Sequence, residues 1–181
     1  MDVYKLKWTG LKQAIFRLMC IKAGSALNQR EIALILKVSP TAIGNALKDL
    51  EKEKIIKKER RGKLNLFLVE LERENKKIIG LKRAENLKML YEIEMIEFLE
   101  KNFPASAIIL FGSYSRGDDT IRSDIDIAVI GSKEKKINLE NFQLILEREI
   151  RLNFYPSLSE IHKNLQENIL NGIVLAGGIS L

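Results

Sequence analysis

The sequence predicts an α+β protein: a helical N-terminal part closed by a hairpin, and a C-terminal mixed β-sheet flanked by helices. Three observations carry this. Apolar residues recur at helical spacing between positions 11 and 52 and again between 75 and 102. Two short strand-like runs, Ile55–Glu59 and Leu64–Val69, flank the basic turn Arg60-Arg61-Gly62-Lys63, which is hairpin punctuation. Residues 107–130, AIILFGSYSRGDDTIRSDIDIAVI, place a fully apolar run and an alternating run on either side of a small-residue turn.

In chain order, Leu11, Ala14, Ile15, Leu18 and Met19 form one helical stripe that ends near Gly24. Asn28 followed three residues later by Glu31 has the form of a capping box. It leads Ile32, Ala33, Ile35 and Leu36 into a short second helix. Ser39 as cap and Pro40 in the first turn start a third helix through about Lys52. Ile43, Leu47 and Leu50 are its expected buried face, which leaves Thr41, Asn45 and Lys48 pointing away.

Three helices followed by a hairpin with a basic tip resemble a winged helix-turn-helix domain of the transcription-regulator type, over roughly residues 10–72. Charge gives a separate argument. Residues 1–75 carry 16 Lys and Arg against 9 Asp and Glu, a net of +7, whereas residues 76–181 have a net of −1. An anionic partner for the first part follows, and double-stranded DNA is the expectation. The expected contacts are Thr41, Asn45 and Lys48 on the third helix, with Arg60, Arg61 and Lys63 at the hairpin. Winged helices also serve protein contacts, and a basic domain also suits RNA.

Residues 75–102 read as one long helical stretch, with Leu81, Ala84, Leu87, Leu90, Tyr91, Met95 and Leu99 on its apolar side and Gly80 as a candidate break. That side would pack on the flanking domains or on a second copy of the chain, so a homodimer is compatible with the pattern. The expected organisation is a DNA-binding domain at 1–75, a helical linker at 76–103 and a last domain at 104–181. The linker's helical part from about 92 is open to assignment to the last domain. The single cysteine excludes an internal disulfide, and no apolar run reaches the ~18 residues of a membrane span. The expectation is a cytoplasmic protein without membrane contact.

The stretch 107–130 carries the chemistry. Ala107–Phe111 fits a buried strand, and Asp124–Ile130 alternates. Asp124 and Asp126 would therefore share one face while Ile125, Ile127 and Val129 face a core. Two neighbouring carboxylates repel unless a cation sits between them, and hard oxygen ligands favour Mg²⁺. Gly112 leaves room for close backbone approach, and Ser113 offers a phosphate an amide and a hydroxyl if a helix begins there. By residue type alone, the same pattern also suits the wet face of an edge strand beside an ordinary turn.

Gly112-Ser113, ten intervening residues with Arg116-Gly117-Asp118 among them, then Asp124-x-Asp126, resemble the minimal nucleotidyltransferase domain of the DNA polymerase beta superfamily, of prokaryotic and archaeal type. The resemblance covers roughly residues 92–181. It implies an NTP (ATP is the expected one) held with Mg²⁺. Asp124 and Asp126 would be the catalytic and metal-binding carboxylates, with Gly112, Ser113 and Arg116 at the phosphates. Active members of the family use a third carboxylate on a later strand. Here the corresponding run, Arg151-Leu152-Asn153-Phe154-Tyr155, has no acid, and Asn153 is the expected occupant of that position. Asn cannot act as a base. Asp118 and Asp119 lie in the loop, where a solvated position is expected. The leading expectation is a DNA-binding regulator with a weakly active or inactive nucleotide-binding domain. The alternative is an active enzyme that transfers a nucleoside monophosphate to a helical protein partner, as relatives in toxin–antitoxin pairs do.

Overall fold

The computed structural model describes residues 8–61 and 66–179, which form two compact units divided between Ile78 and Ile79. In the first, helix α1 (Gly10–Ile21) precedes a two-residue strand β1 (Leu27–Asn28), helices α2 (Gln29–Leu36) and α3 (Pro40–Lys52), and the hairpin β2 (Ile56–Arg61) and β3 (Leu66–Leu71). The sheet order is β1-β3-β2, all antiparallel. This is a winged-helix architecture. Its caps are those expected: Asn28 and Glu31 form a reciprocal capping box, and the Ser39 side chain accepts from Ala42 N at 3.3 Å, with Pro40 in the first turn. The hairpin strands lie one to two residues later than the sequence pattern places them.

Ile15, Phe16, Met19, Ile32, Ile43, Leu47 and Leu50 form the buried faces of the three helices. Ile35 departs from expectation. In an eight-residue helix only the side bearing Ile32 and Ala33 is covered, and Leu34 and Ile35 turn outward.

The second unit is built on a mixed sheet of order β6-β5-β4-β7, from β4 (Ala107–Phe111), β5 (Ile125–Ile130), β6 (Ile150–Tyr155) and β7 (Ile173–Ala176). Strand β4 is antiparallel to β5 and β7, while β5 and β6 run parallel. The parallel pair requires a crossover, supplied by residues 131–149 with helix α7 (Glu140–Leu146). Asn138, just ahead of α7, accepts from Glu140 N at 2.9 Å, and the seven-residue helix leaves Ile145 exposed. Strand β5 is interior, not an edge, so the carboxylate pair does not belong to an edge strand's wet face. On one side of the sheet, Ile109, Phe111 and Ala128 pack with Leu158, Ile161 and Ile169, the last from helix α8 (Lys163–Leu170). On the other, Ile127 and Val129 are buried, and Phe103 meets Phe154 of β6 with ring centroids 5.4 Å apart.

The stretch expected as one long helix is two. Helix α4 (Lys76–Glu92) and helix α5 (Met95–Asn102) are separated at Glu94, which takes a left-handed φ of 59°. Gly80 lies inside α4 without a break. From Ile79 onward this helical segment belongs to the second compact unit. The buried face of α4 differs from the apolar stripe as well. Ala84 and Tyr91 are exposed, and the buried positions are Ile78, Lys82, Asn86, Met89 and Leu90. A charged and an amide side chain thus occupy core positions. No helix among the described residues is long and apolar enough to cross a membrane.

Candidate functional site

The candidate site gathers at the end of β4 and the start of β5. Strand β4 runs into the five-residue helix α6 (Gly112–Arg116) with no intervening loop, so the first amides of α6 lack intrahelical acceptors at the sheet's end. Gly112 is required here twice over. Its φ is +74°, and a Cβ at this position would lie 2.8 Å from Asp126 Oδ2. The Asp126 carboxylate therefore sits directly over the residue that opens α6. Ser113 follows at a half-buried position, and Ser115 closes the turn by donating to Gly112 O at 2.8 Å.

Asp126 is in register with Phe111 on one side and Arg151 on the other. Asp124 lies just before β5 and, like Asp126, is partly exposed. Burial raises the Asp126 carboxyl above its ordinary value of 3.8, the charge of Asp124 raises it further, and Arg151 opposes both. The Tyr155 hydroxyl is raised by its own burial and by Asp126. A pair of this kind suits a cation. Two carboxylates are a partial set of ligands, the number with which Mg²⁺ is commonly bound when phosphate oxygens and water supply the rest. Among the described residues no group of three or more His, Cys, Asp or Glu side chains could hold an ion.

Strand β6 supplies a cation rather than a third acid. Arg151, opposite Asp126, places Nη1 at 2.8 Å from Asp124 Oδ2. Asn153 stands opposite Ala128, two pairs further along, with Nδ2 at 3.5 Å from Ile127 O. The residue nearest the carboxylate pair on this strand is therefore Arg151, and sequence reasoning, drawn to Asn153, passed over it. Parallel register was the missing information. Arg116 is at the far end of α6, exposed, with Nε donating to Asp118 Oδ2 at 3.3 Å.

Asp119 is a second correction. It is fully buried rather than solvated, and it holds together three elements. Lys82 of α4 forms a buried salt bridge with its Oδ1, Asn86 donates to the same oxygen at 2.8 Å, and Arg148 Nη2 is 3.5 Å from Oδ2. Asn86 also donates to Tyr114 O at 3.0 Å, inside α6. Gly117 (φ +82°) lets α4 approach, since a Cβ there would meet Ile79 O at 2.5 Å. The loop that delivers Asp124 is thus clamped at its start by a buried polar network.

In the first unit, Thr41, Asn45 and Lys48 are exposed on α3, and Arg60 is exposed on β2. Arg61 ends β2, and Lys63 lies outside the described residues.

Solved structures similar to this chain include the zinc-responsive MarR family member ZitR of Lactococcus lactis, 22% identical over 57% of this chain and 68% of that one, with a TM-score of 0.42. Wild-type ZitR in complex with DNA gives 22%, 57% and 67% at 0.41. The adhesin competence repressor AdcR from Streptococcus pyogenes gives 18%, 55% and 70% at 0.42. The chain spans about two thirds of the length of these structures. No curated protein matches it. Residues 93–177, from the helix break before α5 to the end of β7, match the family model for polymerase beta nucleotidyltransferases, and that stretch contains Gly112, Ser113, Asp124, Asp126 and Arg151.

Proposed function

We propose that the chain is a cytoplasmic DNA-binding regulator whose second unit binds an NTP, ATP in the first instance, together with Mg²⁺, and turns it over slowly or not at all. The observation that carries this is the carboxylate pair Asp124 and Asp126, with Asp126 over the glycine that opens α6 and Arg151 across the strand instead of an acid. Asp124 and Asp126 would hold the metal, which when bound neutralises charge on the polyphosphate. Gly112 and Ser113 offer amides and a hydroxyl to a phosphate, with Arg116 as a further cation. Phosphoryl transfer also needs a group that accepts the proton of the attacking hydroxyl, and neither Arg151 nor Asn153 can do so. Thr41, Asn45, Lys48, Arg60, Arg61 and Lys63 are the proposed DNA contacts, in keeping with the net charge of +7 over residues 1–75.

Calorimetry of ATP against the full chain, with and without Mg²⁺, tests the reading: heat of binding that requires the metal is expected. Heat equal in both conditions would overturn it. The second reading, an active transferase acting on a protein partner, is favoured by the complete Gly112-Ser113 and Asp124-x-Asp126 motif. Rapid labelling of a partner from radiolabelled NTP would decide for it. Where slow labelling exists, Arg151→Asp is expected to raise it more than Asn153→Asp, because Arg151 is the residue beside the pair.

A further inference from the structure

The Arg151 guanidinium is held from two sides. Nε and Nη2 donate to the two carboxylate oxygens of Glu149, at 3.2 and 3.4 Å, while Nη1 meets Asp124 Oδ2 at 2.8 Å. The backbone fixes this arrangement. Glu149 O accepts from Ile125 N at 2.8 Å, which extends the β5–β6 ladder by one bond and brings the Glu149 main chain alongside the residue that follows Asp124. Arg151 is in turn the register partner of Asp126. The chain thus delivers its own positive charge to the two carboxylates that a divalent ion would need.

We propose that Arg151 is an intramolecular competitor of a divalent cation at Asp124. A guanidinium proton on Oδ2 occupies a lone-pair direction that a metal would use, and its charge repels the ion. The contact is also exchangeable. The Arg151 and Glu149 side chains are about half exposed, at 54% and 59%, and ion pairs in such positions are weak. On the nucleotide reading above, a polyphosphate resolves the competition: its oxygens match the planar guanidinium fork and also complete the ligand set of the metal. Arg151 would then leave Asp124 for a phosphate as the metal arrives. Metal alone would bind poorly, and metal with nucleotide would bind well.

The test is Mn²⁺ binding to the full chain without nucleotide, read from the electron paramagnetic resonance signal of free Mn²⁺. Wild type is compared with Arg151→Ala and with Arg151→Gln, which keeps a polar side chain but removes the charge. Both substitutions are expected to tighten Mn²⁺ binding by roughly three- to tenfold. Adding Asp126→Asn to Arg151→Ala should abolish the gain. Unchanged or weaker Mn²⁺ binding in both single variants, no Mn²⁺ binding in any of the proteins, or a gain that survives Asp126→Asn would each overturn the proposal. Repeating the series with a non-hydrolysable ATP analogue examines the nucleotide reading separately. If that reading alone fails, no protein binds the analogue, yet the nucleotide-free gain in Mn²⁺ affinity remains.

Discussion

Asp119 and Asp126 belong to the same short stretch of chain and meet the same kinds of partner, yet their surroundings give them opposite roles. Asp119 is buried with Lys82, Asn86 and Arg148, and both of its carboxylate oxygens face a cation. Asp126 is only partly covered; that partial burial raises its carboxyl most, a second carboxylate that repels it raises it further, and Arg151 opposes both more weakly. A buried, mutually paired cluster holds a loop in place. A half-open, like-charged pair is in surplus of negative charge and can bind something. Burial, not residue type, separates the two.

The largest expected effect tests the buried member. Asp119→Ala leaves Lys82 and Arg148 facing each other without their shared acceptor, and losing one side of a buried ionic cluster costs about 3–5 kcal/mol. Its neighbour Asp118 is exposed and meets Arg116 at the surface, so Asp118→Ala should stay within about 0.5 kcal/mol of wild type. Urea denaturation of both variants checks this. Equal midpoints for the two would mean that the network is not what holds the loop.

That contrast also marks what could be read from the sequence and what could not. Caps and periodicity placed the winged helix, since Asn28, Glu31, Ser39 and Pro40 act within three residues of themselves and need no tertiary information. The apolar run Ala107–Phe111 and the alternation through Ile130 placed β4 and β5 for the same reason. The buried face of α4 is not legible from apolar periodicity. Two stripes compete on that helix, and the one that wins contains Lys82 and Asn86, whose partner lies 37 and 33 positions away. Arg151 was missed because its importance depends on the register of β6 against β5, which no local pattern specifies.

Next in size is the open pair. On the proposed reading Asp126→Asn removes one of two anionic ligands, and Mg²⁺-dependent ATP affinity should fall by about 1–3 kcal/mol. Asp119 variants that remain folded should lose affinity through loop position, with the change following their loss of stability. Asp126→Asn should lose it without any such loss. Calorimetry paired with thermal melts separates the two patterns.

A smaller effect is expected in the first unit, where exposed charge again implies a ligand rather than a lock. Arg60→Ala should reduce the slope of log K against log salt for duplex DNA by roughly 0.9, the value of one phosphate contact. An unchanged slope in fluorescence anisotropy titrations would remove Arg60 from the interface.

The smallest effect is on stability and concerns the sign of Asp126's own contribution. Burial and the neighbouring Asp124 hold its carboxyl above the ordinary 3.8, so the folded state binds a proton more readily than the unfolded one. Stability linked to this group is therefore greatest in acid, below 3.8. It falls as pH rises from there through the raised value, and at neutral pH the ionised group is a net burden on the metal-free fold. Asp126→Asn removes that burden. Without metal or nucleotide, the variant should be slightly more stable than wild type at neutral pH, and the difference should shrink as pH is lowered through the carboxylate range. Adding Arg151→Ala to wild type should enlarge the burden, since Arg151 is the one influence that opposes it. Thermal melts of the three proteins from pH 3 to 7 in chelator would show the ordering. If Asp126→Asn is less stable at every pH, then the carboxylate is paired more fully than its neighbours indicate, and the open pair would be a second structural lock rather than a site.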